Sequence, residues 1–445
     1  MKHSHSFCFP RMVASSLALI LVPSNLHAKN DPITVVPVIK EVSFKGDANY
    51  TLTSDDAIKT FSAPHYANYS QDDEGACDPL TRDYPTAYTR HTTPEVEMKF
   101  GIDIEIPEGK TVNVILKANG TDDVNLPAQT IALHHGQKIY TYPKVAAEKA
   151  WPDKIRFYGS SAQFTFTWKS KMEGAPDFND CGTTKHRLYL TLGDPATELR
   201  QETLFDLGSR NADGKTTAAT ATTDIWNDFT DRDIRRVDGT QLTYYADYNC
   251  NNLTTESLLS KGDGQCVAWA KLFIDIRKIQ GIHESVDNYV VIDSLHADGF
   301  IVKNWTFSGN GNSQLPNFPY VNIPKASYIL ANSYDWKYAE VNDADGVPGQ
   351  GNGNPASIFN NHQVMILGEY YDPSYGVIHA SISSMDDNYI DGYYSGPGSF
   401  PLDEPKVNLD LNGDGDMLDL AVSTNCLLFK KNPTGLDLKE HKSNY

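Results

Sequence analysis

Gly262-Asp263-Gly264-Gln265-Cys266-Val267-Ala268-Trp269-Ala270 carries a cysteine to the threshold of the most regular helical pattern in the chain. Ala268, Leu272, Ile276 and Ile279 form an apolar stripe, Trp269 and Phe273 flank it, and Gly281 stands where a helix should stop. A thiol at that place is chemically special, because unpaired backbone N–H groups and the helix dipole favour the thiolate. The same N–H groups can hold an oxyanion, and the glycines before Cys266 leave room for a carbonyl substrate. A nucleophilic cysteine also needs a base and a group to orient that base. Downstream, Asn361-His362 opens a strand, and Tyr370-Tyr371-Asp372-Pro373-Ser374-Tyr375-Gly376 ends the next one, where Pro373 stops the pairing.

Upstream the pattern changes. From about residue 33 to 194 apolar and polar residues alternate, most clearly over residues 96–106, with further runs at 112–116, 138–142, 164–168 and 188–192. Short strands at this spacing, separated by Gly, Pro and Asp turns, predict a β-sandwich. His134 and His135 are adjacent, so on a strand they point to opposite faces and cannot share a metal. Residues 208–223, rich in Gly, Asp, Ala and Thr, read as the connection to a second domain, which opens with a short helix around Trp226. A Gly-, Asn- and Pro-rich passage at about 305–358 reads as a lid, a binding loop or an insertion.

The run Gly-Gln-Cys at a helix start, followed by His362 and then Asp372-Pro373 on strands, resembles the transglutaminase-like superfamily. The resemblance implies an α+β fold, in which a helix bearing Cys packs on an antiparallel sheet bearing His and Asp, as in papain. It covers about residues 224–430. It makes Cys266 the nucleophile, His362 the base and Asp372 the orienting carboxylate, with acyl transfer or hydrolysis at protein or peptide amides as the chemistry. Gln265 and Trp226 are candidates for the oxyanion hole or substrate groove, against a plain packing role for each. The interval from His362 to Asp372 is ten residues. With a two-residue turn at Gly368-Glu369, Asp372 faces Met365, three rungs from His362 and beyond a direct hydrogen bond; a wider loop or a bulge would close the gap.

The expected organisation is a signal peptide at 1–28, a β-sandwich domain at 29–195, a linker at 196–223, the transglutaminase-like domain at 224–430 and a tail at 431–445. Lys2 and Arg11 bracket a positive start, residues 12–22 are largely apolar, and Leu26-His27-Ala28 fits a cleavage site. No later run approaches the ~18 apolar residues of a membrane helix, so the mature chain is expected to be periplasmic or secreted, with no integral membrane segment. The formal net charge of −19, from 38 basic and 57 acidic residues, argues against nucleic-acid binding. Cys8 leaves with the signal, and five cysteines remain. In an oxidising compartment we expect Cys77 to pair with Cys181 and Cys250 with Cys426, leaving Cys266 as the odd thiol. Asp410, Asn412, Asp414, Asp416 and Asp419 follow the first half of an EF-hand-type loop, with Gly415 at its sixth position, and are expected to hold structural calcium. The chemistry itself calls for no cofactor. The alternative from another class is a binding or adhesion protein on the same fold, catalytically inactive and stiffened by calcium.

Overall fold

Alternation along the amino-terminal strands sorts their side chains into a core and a surface. In Glu95–Ile102 the residues Val96, Met98 and Phe100 are buried while Glu95, Glu97 and Lys99 remain partly exposed. The computed structural model describes residues 35–69, 80–246, 251–283, 288–295, 299–303, 306–308, 336–338, 340–342, 347–356, 358–395, 427–430 and 438–442. Over these the chain has mixed α and β structure with mostly antiparallel sheets.

A five-stranded sheet runs in the order Leu80–Asp83, Tyr66–Tyr69, Pro37–Lys45, Glu95–Ile102, Ile139–Ala146. A four-stranded sheet runs Asn179–His186, Phe164–Met172, Thr111–Gly120, Leu126–His134. The two share one apolar core, to which the first contributes Phe44, Val96 and Phe100 and the second Val114, Leu116, Phe166 and Trp168.

A third sheet runs Arg156–Tyr158, Leu188–Thr191, Thr86–Thr89, Asn49–Thr51, and its two inner strands are buried on both faces. Its side chains alternate between two cores: Tyr88, Leu188 and Leu190 join the amino-terminal one, whereas Ala87 and Tyr189 face the core built around the helices. Helix α1 (Glu202–Asn211), within the stretch expected to be a linker, lies on that second face. Leu204, Phe205 and Leu207 of α1 are wholly buried. Asp55 accepts the Thr203 N–H at 3.2 Å and its hydroxyl at 2.8 Å, satisfying an amide of the first turn from the amino-terminal part of the chain.

Helix α2 (Ala218–Thr230) is capped by Thr217, and α3 (Thr255–Lys261) by a reciprocal pair of bonds between Thr254 and Ser257. Helix α4 (Cys266–Ile279) buries the whole expected stripe, with Trp269 and Phe273 beside it. Gly281 follows its end at φ +69°, where an added Cβ would meet the Gly193 backbone at 2.7 Å. Helix α4 packs on a five-stranded antiparallel sheet ordered Val377–His379, Tyr370–Asp372, Asn361–Ile366, Tyr289–Ser294, Leu438–Lys442. Helix α5 (Ile382–Tyr389) follows that sheet's outer strand. The passage expected to be a long loop is partly ordered into strands: Trp336–Tyr338 pairs with Leu427–Lys430, and Glu340–Asn342 with Thr306–Ser308. No helix among the described residues is long and apolar enough to cross a membrane.

Candidate active site

Cys266 is the first residue of α4, and the preceding turn explains why the helix starts there. Helix α3 ends on Gly262, left-handed at φ +85°, whose N–H closes on the Leu258 carbonyl. Asp263–Gly264 then pairs in parallel with Thr243–Tyr244, and Gln265 is the extended residue before the helix. Gln265 makes no side-chain capping bond, but its carbonyl accepts the N–H groups of Ala268 and Trp269 at 3.0 and 3.2 Å. A Cβ on Gly264 would approach Ala268 and Leu258 to 3.1 Å, so the two glycines serve the turn and the packing of α3 against α4.

His362 is the second residue of the central strand Asn361–Ile366 and is wholly buried. Its Nε2–H donates to Asp372 Oδ2 at 2.7 Å. Of the two connections considered between their strands, the wider loop forms. Ile366 pairs with Tyr370 and Met365 with Tyr371, leaving Leu367, Gly368 and Glu369 as a three-residue loop with Gly368 at φ +88°. Extending this register sets Asp372 opposite Val364, on the face that His362 also occupies; the two-residue turn would have set it opposite Met365, on the other face. A diagonal pair on one face is within side-chain reach.

Asp372 is held from three sides. Its Oδ1 accepts the Ser374 N–H at 3.1 Å, and its Oδ2 accepts the Tyr389 hydroxyl at 3.3 Å as well as His362. Gly376, at φ +64°, closes the turn by donating its N–H to the Asp372 carbonyl at 2.9 Å. A Cβ there would lie 2.3 Å from the Phe229 carbonyl. Gln350 locks the same turn: its Nε2 donates to the carbonyls of Phe229 and Pro373 at 2.7 and 2.9 Å, and its N–H to that of Ser374 at 2.9 Å.

The electrostatics follow from this packing. Burial by itself would lower the His362 pKa, but the charge and hydrogen bond of Asp372, joined by Cys266, outweigh it and raise the value from 6.5 to about 10. With Nε2 committed to Asp372, Nδ1 has no partner of regular hydrogen-bond geometry among the described residues and is the nitrogen left for the thiol. The Cys266 side chain lies near enough to act on the imidazole through both charge and hydrogen bonding. Phe359 and Tyr375 wall the imidazole, with ring centroids 5.2 and 5.7 Å away. Cys266 is 6 % exposed.

The structure thus brings Cys266, His362 and Asp372 together. Trp226 packs among Phe229, Phe273 and Tyr371 at 5.8, 5.2 and 4.8 Å, the arrangement of a core residue. Tyr244, Gln350, Tyr375 and Tyr389 also border the triad and were not anticipated; only Tyr375, three residues beyond Asp372, had a local signal. Among the described residues Cys181 forms no disulfide, and its expected partner Cys77 lies outside them, as do Cys250, Cys426 and the acidic run Asp410, Asn412, Asp414, Asp416 and Asp419. Among the described residues no group of three or more His, Cys, Asp or Glu is placed to hold a metal ion. In comparisons with known proteins, no family model and no curated sequence matches the chain.

Proposed function

We propose that this chain is an exported, transglutaminase-like cysteine acyltransferase or hydrolase acting on protein or peptide amides. In this reading the amino-terminal strands form a β-sandwich domain, the helix-on-sheet half is the papain-like domain, and calcium at Asp410–Asp419 orders a loop without entering the chemistry. The observation that carries it is the 2.7 Å bond from His362 to Asp372, which leaves the other ring nitrogen to Cys266 at the start of α4. His362 takes the thiol proton, and the sulfur lone pair forms a C–S bond to the substrate carbonyl carbon. The carbonyl π pair moves to oxygen, where backbone N–H groups at the helix start can hold it. As that pair returns, the C–N bond breaks and the amine leaves with the proton from His362. Water or a second amine then resolves the thioester.

The test is the rate of iodoacetamide alkylation against pH, mapped by peptide mass. Labelling is expected at Cys266, absent in Cys266→Ala and much slower in His362→Ala. An ordinary thiol profile at Cys266, unmoved by His362→Ala, would leave the inactive binding protein as the better reading. That alternative has one observation on its side, the near-complete burial of Cys266 and His362.

A further inference from the structure

We propose that the Tyr244 hydroxyl donates the side-chain hydrogen bond to the oxyanion formed when Cys266 attacks a carbonyl. The inference rests on the nucleophile assignment above and deepens it.

Tyr244 is fixed next to the nucleophile by its backbone. It pairs with Gly264, two residues before Cys266, while its N–H donates to the Gln350 carbonyl at 2.7 Å and its carbonyl accepts from Asn352 Nδ2 at 3.0 Å. Its ring is wholly buried, edge-on to Tyr375 at 5.1 Å, and Tyr375 in turn packs on His362. The adjacent buried tyrosines use their hydroxyls: Tyr375 donates to the Ala356 carbonyl at 3.1 Å and Tyr389 to Asp372 at 3.3 Å. The Tyr244 hydroxyl forms no hydrogen bond of regular geometry among the described residues, its polar neighbour, the Tyr375 hydroxyl, being already committed to the Ala356 carbonyl. Buried hydroxyls seldom go unpaired, since each lost bond to water must be replaced. A donor kept unpaired beside a nucleophile is suited to an acceptor that exists only during reaction, and one aimed at developing charge acts differentially on the transition state.

The proton stays on the phenol. Burial, together with the nearby charges of Tyr375, Cys266 and Asp372, raises the Tyr244 pKa well above its ordinary 10.0, so the group donates a hydrogen bond without giving up its proton. Charge balance is unaffected: the oxyanion takes the carbonyl π pair and returns it when the leaving group departs.

Two probes of Cys266 separate this role from others. p-Nitrophenyl acetate acylates the sulfur through an oxyanion and expels p-nitrophenolate; iodoacetamide alkylates the same sulfur by displacing iodide and forms no oxyanion. In Tyr244→Phe, acylation is expected to slow about 100-fold, the scale of losing one oxyanion donor. Alkylation should stay within about twofold, and the melting temperature should change little, because the deleted hydroxyl gives up no hydrogen bond of regular geometry. Acylation within about twofold of wild type, or equal losses in both reactions, would overturn the proposal. Failure of the nucleophile assignment looks different: the wild-type protein itself would release no burst of p-nitrophenolate above the Cys266→Ala background.

Discussion

His65 and His186 lie in the amino-terminal core about as deeply as His362 lies beside Cys266. His65 Nδ1 accepts the Phe44 N–H at 3.2 Å, and His186 Nε2 sits 2.9 Å from the Thr184 hydroxyl. Among the described residues neither has a carboxylate partner, and each keeps one ring nitrogen without a hydrogen bond. Burial, reinforced by the charge of Lys45 for His65 and of His65 for His186, lowers their pKa values to about 4 and about 3. At His362 burial acts in the same direction, but a carboxylate 2.7 Å away reverses the outcome. The contrast teaches that depth alone makes a histidine inert and neutral. One fixed carboxylate turns an equally deep ring into a proton holder.

Removing that carboxylate should erase the difference, and this is the largest effect expected. Asp372→Ala leaves His362 in the situation of His186, neutral at pH 7, and leaves Ser374 N–H and the Tyr389 hydroxyl without their acceptor. Breaking a buried pair of this kind costs about 3–5 kcal/mol, measurable by urea unfolding. Asp372→Asn, which keeps the volume, should be milder in stability yet still change the pH profile of Cys266 alkylation, because His362 loses the charge that holds its proton. An unshifted profile in the Asn variant would mean that the carboxylate's charge does not set the behaviour of the site.

The two environments also predict opposite limbs of stability against pH. For His65 and His186 the folded values lie below the unfolded 6.5, so the unfolded chain binds protons that the folded chain refuses. Their favourable contribution is complete above pH 6.5 and is lost as pH falls toward 4, at up to about 1.4 kcal/mol per pH unit for each ring. For His362 the folded value lies above 6.5, so its contribution is complete below pH 6.5 and is lost as pH rises toward 10. His186→Phe should therefore lower the acid slope by up to about 1.4 kcal/mol per pH unit and leave the alkaline limb alone. The measurement is the urea midpoint from pH 4 to 9; an unchanged acid slope would show that His186 does not stay neutral in the fold.

The same pair of regions shows what could be read from residue order. Strand alternation and the α4 stripe are local patterns with one physical meaning, and both formed as expected. The chain at 196–223 was harder, because Gly208 has two meanings. Glycine marks linkers, but here it lies where α1 meets α4, and an added Cβ would come within 2.7 Å of Ile279 and 3.0 Å of Gln280. Composition alone does not tell a flexible joint from a close helix crossing. The His362–Asp372 contact hinged on a single residue of loop length, which decides the face on which Asp372 emerges. Tyr244 and Tyr389 reach the site from elements 118 positions before and 27 after His362, so no spacing rule could assemble them.

The smallest expected effect concerns how firmly the carboxylate is held. Tyr389 reaches Asp372 Oδ2 over 3.3 Å, longer than a charge-assisted bond at its best, while His362 and Ser374 N–H hold the group at 2.7 and 3.1 Å. Tyr389→Phe keeps the ring that packs on Tyr375 and His379, with centroids 5.2 and 5.0 Å away. Only the third donor is lost, and Asp372 still has two. Stability should fall by about 1 kcal/mol or less, and Cys266 alkylation at pH 7 by no more than about threefold, about 0.6 kcal/mol on the scale of 1.36 kcal/mol per factor of ten. A loss as large as that of Asp372→Asn would mean that the tyrosine, and not the main-chain turn, fixes the carboxylate against His362.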